Sequence, residues 1–269
     1  MTNWHKDDLP LLLDVARQAG AIAHGYFGQQ LKTWYKGQER SPVSEADYAV
    51  DKLLRDTLLG ARPNYGWLSE ETLDDPARLS NETIFVVDPI DGTRGFIAGK
   101  RDWCISVAIV HQGVPVAGVL AVPARDEIWA AALGQGATRN GVALEAAPSS
   151  PPVPLVVSMP DSLAPEAIAR FGDDIERAPG GPSLALRIAR VASGELDAVL
   201  VRPRSNEWDL AAANVLLGET GRCLVDEHGT RVTYNAADPS RGILVAAAPA
   251  ETGRLLACFS TGDRSGPGH

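Results

Sequence analysis

The sequence predicts an α/β fold, and three observations predict it. The second half alternates strand-like and helix-like segments. The first half sets two amphipathic helices ahead of a run of strands. Of the 269 residues, 45% are apolar, enough to build a substantial core.

Taken in order, residues 9–28 read as a helix, with Leu11, Leu12, Val15, Ala19, Ala21 and Ile22 at helical spacing. Residues 31–43 are polar and basic (Lys32, Lys36, Arg40) and end in Ser41-Pro42, so a bend or loop is expected. Ser44 opens a second helix to about Leu59, with Asp47 three residues on as its capping partner and Gly60 as its stop. Val50, Leu53, Leu54 and Leu58 supply its buried stripe. Trp67-Leu68-Ser69 is a short apolar approach into Glu70-Glu71, and Thr83–Val87 is a strand running into Asp88-Pro89-Ile90-Asp91-Gly92-Thr93. Residues 103–111 and 114–121 form a hairpin around His111-Gln112-Gly113, Glu127–Ala131 is a further strand, and the sheet is expected to be antiparallel. Gly134, Gly136, Asn140 and Gly141 mark turns.

An Ala/Ser/Pro-rich bridge at 146–154 divides the chain into an N-terminal half, residues 1–145, and a C-terminal half, residues 146–269. Beyond it lie a strand at Leu155–Val157, helices at 163–171 and 184–192, a strand at Asp197–Val201, a helix at 208–217 ending at Gly218, and strands at Cys223–Val225 and Ile243–Ala247. No internal repeat is evident.

The net charge of −9, from 34 acidic and 25 basic residues, argues against capture of nucleic acid polymers or acidic lipid. A small anionic substrate remains compatible, because bound divalent ions invert the field of an acidic cleft. Cys104, Cys223 and Cys258 stand far apart, without disulfide or metal spacing, and read as apolar filler in a reducing compartment. The polar opening residues are no signal peptide, and no 18-residue apolar run occurs, so a soluble cytoplasmic protein without an integral membrane segment is expected. No Ser or Cys nucleophile motif, phosphate-binding GxxxxGK[ST] loop or HExxH motif is present. His5, His24, His111, His228 and His269 lack ligand spacing and read as structural or solvated.

The chemistry is concentrated in carboxylates. Asp88 and Asp91 can simply shape a strand-end turn. Alternatively they converge on one cation, with Pro89 stiffening the interval, Gly92 allowing close backbone approach and the Ile90 carbonyl adding an oxygen; such a set suits Mg²⁺. Glu70-Glu71 either face solvent or place one acid at a cleft mouth. Asp209 is either a favourable first-turn acid or the group that closes a cation site from the second half. Asp47 either completes the Ser44 cap or accepts a proton from Thr93 in a water-activating relay. Together, Glu70, Asp88, Asp91 and Asp209 can hold two or three Mg²⁺ for phosphate-ester hydrolysis.

At these residues the chain resembles the inositol monophosphatase superfamily, a lithium-sensitive, Mg²⁺-dependent group that includes 3'(2'),5'-bisphosphate nucleotidases. The resemblance rests on SPVSEAD at 41–47, LSEE at 68–71, DPIDGTRGF at 88–96 and EWDLAAA at 207–213, in family order, and covers nearly the whole chain. It implies a layered α/β/α/β/α sandwich and a homodimer. It makes Glu70, Asp88 and the Ile90 carbonyl ligands of a first metal, Asp88, Asp91 and Asp209 ligands of a second, and gives Glu70 a third. Thr93 with Asp47 resembles the water-activating pair, and the Gly92 and Thr93 N–H groups are implied phosphate contacts. Arg94 after DGT, Arg187 and Arg204 either resemble basic positions of the bacterial nucleotidase branch, although Gly95 replaces an acid there, or are surface residues. The substrate expected on that basis is adenosine 3',5'-bisphosphate, hydrolysed to AMP. Inositol 1-phosphate and histidinol phosphate are the alternatives within the superfamily, and a non-catalytic cation- or nucleotide-binding protein is the alternative outside catalysis.

Overall fold

The computed structural model describes residues 8–36, 41–147, 153–256 and 259. The expectations for His5, Arg40, Cys258, His269 and the middle of the bridge fall outside these residues. In chain order the elements are α1 (Asp8–Tyr26), β1 (Thr33–Lys36), β2 (Ser41–Ser44), α2 (Glu45–Ala61), β3 (Gly66–Ser69), β4 (Thr83–Asp91), α3 (Thr93–Ile97), β5 (Cys104–His111), β6 (Val114–Val122), β7 (Glu127–Ala132), β8 (Ala137–Arg139) and β9 (Val142–Ala143). They continue with β10 (Leu155–Ser158), α4 (Ala164–Phe171), β11 (Ile175–Arg177), α5 (Leu184–Ser193), β12 (Ala198–Val201), β13 (Ser205–Asn206), α6 (Glu207–Glu219), β14 (Cys223–Asp226), β15 (Ser240–Arg241), β16 (Leu244–Ala247) and α7 (Pro249–Leu256).

Strands β3 to β9 form one sheet in chain order, and a second sheet runs β11-β10-β12-β16-β14. Strand alternation assigns each sheet face to a different core. Phe85, Val87, Ile105, Val107 and Ile109 pack under α1 and α2. Ile84, Val86, Ala108 and Val110 face α5 and α6, which also cover Val199, Val201, Leu224 and Ala246 of the second sheet. The opposite face of that sheet, with Val157, Leu200, Val225 and Val245, packs against Ala164 and Ala167 of α4 and Leu255 of α7. These are the five layers of an α/β/α/β/α sandwich. The central helix layer lies very close to the large sheet. A Cβ at Gly118 would stand 2.6 Å from the Ala212 carbonyl oxygen, so Gly118 on β6 and the Ala211-Ala212-Ala213 run on α6 are one fitted contact.

Several local expectations change. The basic segment at 31–43 contributes two strands, β1 and β2, paired antiparallel from Thr33↔Ser44 to Lys36↔Ser41. Thr33, Trp34, Tyr35 and Val43 carry the β preference that the lysines obscured. Helices α2 and α6 run past Gly60 and Gly218, because one helical glycine costs only about 1 kcal/mol and packing overrides it. The buried stripe of α1 is Leu12, Val15, Ala16, Ala19 and Ala23, while Ala21 faces solvent. The short strands β8, β9, β11, β13 and β15 and helix α7 had no legible periodicity. The large sheet is antiparallel except at β3, which pairs parallel with β4 from Gly66↔Ile84 to Ser69↔Val87. That exception matters, since parallel neighbours end side by side and Glu70 emerges level with Asp88. Among the described residues no helix is long and apolar enough to cross a membrane.

Candidate metal centre

Asp88 and Asp91 occupy the C-terminal end of β4. Between them the register against β5 shifts, from Asp88↔Ser106 to Asp91↔Cys104, where Pro89 cannot donate to the ladder. Ser106 of β5, paired with Asp88, donates to the Trp208 carbonyl at 3.1 Å and thereby ties the first turn of α6 to β5 next to the end of β4. Asp209 follows in that turn. Its Oδ2 accepts the Asn206 N–H at 2.8 Å in a capping box, so it serves as both cap and site residue. The result is that carboxylate oxygens of Asp88, Asp91 and Asp209 all lie within 4.8 Å of one another.

Each acid is held by specific donors. Asp88 Oδ1 accepts the Ile90 N–H at 3.0 Å. Asp91 Oδ2 accepts the Ser183 hydroxyl at 2.5 Å and the Ala185 N–H at 2.7 Å, and its Oδ1 accepts Leu184 N–H at 3.3 Å, all at the N-terminus of α5. Among the described residues, Asp88 Oδ2 and Asp209 Oδ1 receive no hydrogen bond. Asp47 uses its two oxygens for the two roles open to it. Oδ2 accepts the Ser44 N–H (2.8 Å) and hydroxyl (2.6 Å), and Oδ1 accepts the Thr93 hydroxyl at 3.0 Å. The same Thr93 oxygen lies 3.0 Å from the Ile90 carbonyl, and its single proton can serve only one acceptor at a time. Gly92 precedes Thr93 with φ +97°, and a Cβ there would also come within 3.1 Å of the Ser183 nitrogen, so glycine makes this turn.

Burial drives Asp88 and Asp209 well above the usual carboxylate range, and neighbouring Glu70 and Asp91 add repulsion to both. Burial also raises Asp91, to about 6, against the Ser183, Ala185 and Leu184 donors that restrain it. Asp47 is raised by burial, with Ser44 and Thr93 opposing. Crowded oxygen-only donors, with Asp88 and Asp91 buried, Asp209 half-buried and two carboxylate oxygens free, fit a hard divalent cation, which would offset the burial and the repulsion that raise these acids.

Glu70 lies outside the tight triad. Lys36 of β1 reaches both acids of the pair, Glu70 Oε1 at 2.9 Å and Glu71 Oε1 at 2.7 Å. Glu71 is the more buried, and burial followed by Glu70 repulsion lifts it to about 7. Burial works against the Lys36 ammonium, yet the two glutamates hold it at about 12. Of Arg94, Arg187 and Arg204, Arg187 is the one whose charge interacts with the triad among the described residues. It is half-buried on α5, donates to the Ser183 carbonyl (3.3 Å) and Ser158 hydroxyl (3.4 Å), and feels Asp91 and Asp209. Arg94 is exposed and lines a 320 Å³ cavity with Thr33, Tyr35, Pro42 and Ile97. Arg204 is exposed in a left-handed turn whose N–H bonds the Arg241 carbonyl. Sequence reasoning missed Ser183 and Lys36. Ser183 stands just before the apolar-periodic run at 184–192, the position of a helix cap, and that signal was readable.

A sequence model of the inositol monophosphatase family matches residues 6–262. The chain belongs to the inositol monophosphatase family. A histidinol-phosphatase from Chlorobaculum parvum is 30% identical over 96% of this chain and 98% of its own length. Inositol monophosphatase 2 from Solanum lycopersicum is 28% identical over 83% of this chain and 89% of its own. The crystal structure of extragenic suppressor protein suhB from Bartonella henselae superimposes with a TM-score of 0.83 at 25% identity, covering 96% of this chain and 100% of the other. With the acid triad, this family membership makes the chain a Mg²⁺-dependent phosphomonoesterase.

Proposed function

We propose that the chain hydrolyses the phosphate ester of a small polyol or amino alcohol, of the inositol 1-phosphate and histidinol phosphate kind. The observation that carries this reading is the convergence of Asp88, Asp91 and Asp209 beside the Thr93–Asp47 pair. Histidinol-phosphatase and inositol monophosphatase names recur among the similar proteins and favour that substrate class, while a 3'(2'),5'-bisphosphate nucleotidase from Salmonella typhimurium also matches, at 29% identity.

In this reading Asp88, Asp91 and Asp209, with Glu70 and the Ile90 carbonyl, hold two or three Mg²⁺. When bound, these ions supply charge neutralisation at phosphorus and a more acidic water. Thr93 orients the attacking water, passing a proton to Asp47 Oδ1 as it accepts one. The Gly92 and Thr93 N–H groups, at the start of α3, would donate to phosphate oxygens. Asp209, in the first turn of α6, is assigned to the side of the leaving oxygen, and the alcohol that departs there takes its proton from solvent water.

A second reading, adenosine 3',5'-bisphosphate, is supported by Arg187, whose guanidinium meets two weak neutral acceptors among the described residues and has donors to spare for a second phosphate. A phosphate-release panel with Mg²⁺ separates them: inositol 1-phosphate, histidinol phosphate, adenosine 3',5'-bisphosphate and fructose 1,6-bisphosphate. The expected result is fastest release from one of the first two. Preference for the nucleotide selects the second reading, and no release from any member returns the chain to a non-catalytic binding role.

A further inference from the structure

Asp47 and Asp51 lie four residues apart on α2 and therefore share one face. Asp47 reaches α3 through Thr93. Asp51 reaches a different segment. Its Oδ1 accepts the Ser69 hydroxyl at 2.5 Å, and its Oδ2 accepts the Thr72 hydroxyl at 2.8 Å. Ser69 and Thr72 bracket Glu70 and Glu71. The donors behind them point the same way, with Glu71 N–H donating to Ser69 Oγ (3.3 Å) and Trp67 Nε1 donating to Thr72 Oγ1 (3.2 Å). All four hydrogen bonds thus run toward one carboxylate, which is only 8% exposed. Without it, Glu70 is tied down by its N–H to Val87 and by the flexible arm of Lys36.

We propose that Asp51 is the positioning residue that aims Glu70 at the cation site, an inference that rests on Glu70 being a cation ligand as read above. A carboxylate is needed because it accepts from both hydroxyls. An amide at that position offers one acceptor and one donor, so one hydroxyl would lose its acceptor and the turn would loosen on that side.

The test is direct Mn²⁺ binding, read by electron paramagnetic resonance of free Mn²⁺, on the full chain and on Asp51→Asn, Thr72→Val and Glu70→Gln, with circular dichroism to confirm folding. Residues that orient metal ligands typically cost about 10-fold in affinity when lost, and Asp51→Asn should weaken Mn²⁺ by that order. Half-saturating Mg²⁺ for phosphate release should rise in parallel, while the rate at saturating Mg²⁺ stays within about twofold, since no reacting group is touched. Thr72→Val should shift both in the same direction, less strongly, and it carries the test if Asp51→Asn does not fold. If Glu70→Gln weakens Mn²⁺ and the folded Asp51 or Thr72 variant does not, Asp51 is structural only and the proposal is overturned. If Glu70→Gln leaves Mn²⁺ binding unchanged, the ligand reading of Glu70 fails and takes the proposal with it.

Discussion

Asp88 shows how one residue is asked to do opposing things. Its carboxylate sits 2% exposed among four other acids, Glu70, Asp91, Asp209 and Asp47, an arrangement that is costly when ionised and that a bound cation relieves. Asparagine has the same shape and keeps an acceptor for the Ile90 N–H. Asp88→Asn should therefore separate the two demands. Turnover should fall by roughly 10²–10³-fold, the loss of a few kcal/mol of charge stabilisation. The metal-free protein should melt no lower than the parent, and a lower metal-free melting temperature would mean that Asp88 is chiefly structural. Residues of this type were legible from sequence because their chemistry is local: DPIDGT is a strand end and a turn within six letters, and Trp208-Asp209 opens a helix. Ser183 was readable as a helix cap, but its bond to Asp91 and the bond of Asp51 to Ser69 were not, because those partners lie 92 and 18 residues away and no short pattern encodes the meeting.

The elements matter because each of the three triad acids is fixed by the start or end of a different one. Helix α5 begins on Asp91, with Ser183 both capping the helix and donating to that acid. Ser183→Ala should lower unfolding stability by about 1–2 kcal/mol in urea titration, the usual cost of a lost cap. Helix α6 carries Asp209 and is seated on β6 at Gly118. The expected loss for Gly118→Ala is about 1–3 kcal/mol, since its methyl would meet backbone rather than a side chain that can move. Because the same displacement lifts Asp209 from Asp88, Mg²⁺ affinity should fall with stability, and an unchanged half-saturation would show that α6 tolerates the methyl without moving its first turn. Helices with apolar stripes and strands with β-branched runs were readable one by one. The parallel pairing of β3 with β4 was not, since strand direction depends on where the chain returns, and that pairing is what puts Glu70 beside Asp88.

For the whole molecule, the buried acids couple the stability of the fold to pH and to cations at once. The folded state holds Asp91 at about 6 against an ordinary 3.8, and burial holds Asp88 and Asp209 well above that ordinary value too. A raised carboxylate binds its proton more tightly in the fold than in the unfolded chain. Below about pH 4 both states are protonated and the cluster costs nothing. As pH rises the unfolded chain ionises first, so the metal-free fold loses stability from about pH 4 through 6 and onward as Asp88 and Asp209 follow. The chelator-treated protein should therefore melt lower at pH 7.5 than at pH 5.5, by on the order of 5 °C. Mg²⁺ binds the ionised acids and removes their repulsion, so its stabilising shift should grow over the same interval rather than stay constant. Scanning calorimetry at several pH values, with and without Mg²⁺, reads both slopes. A metal-free melting temperature that rises across this window would mean that the triad enters the fold already compensated by the protein, and the case for a cation as its missing partner would fail.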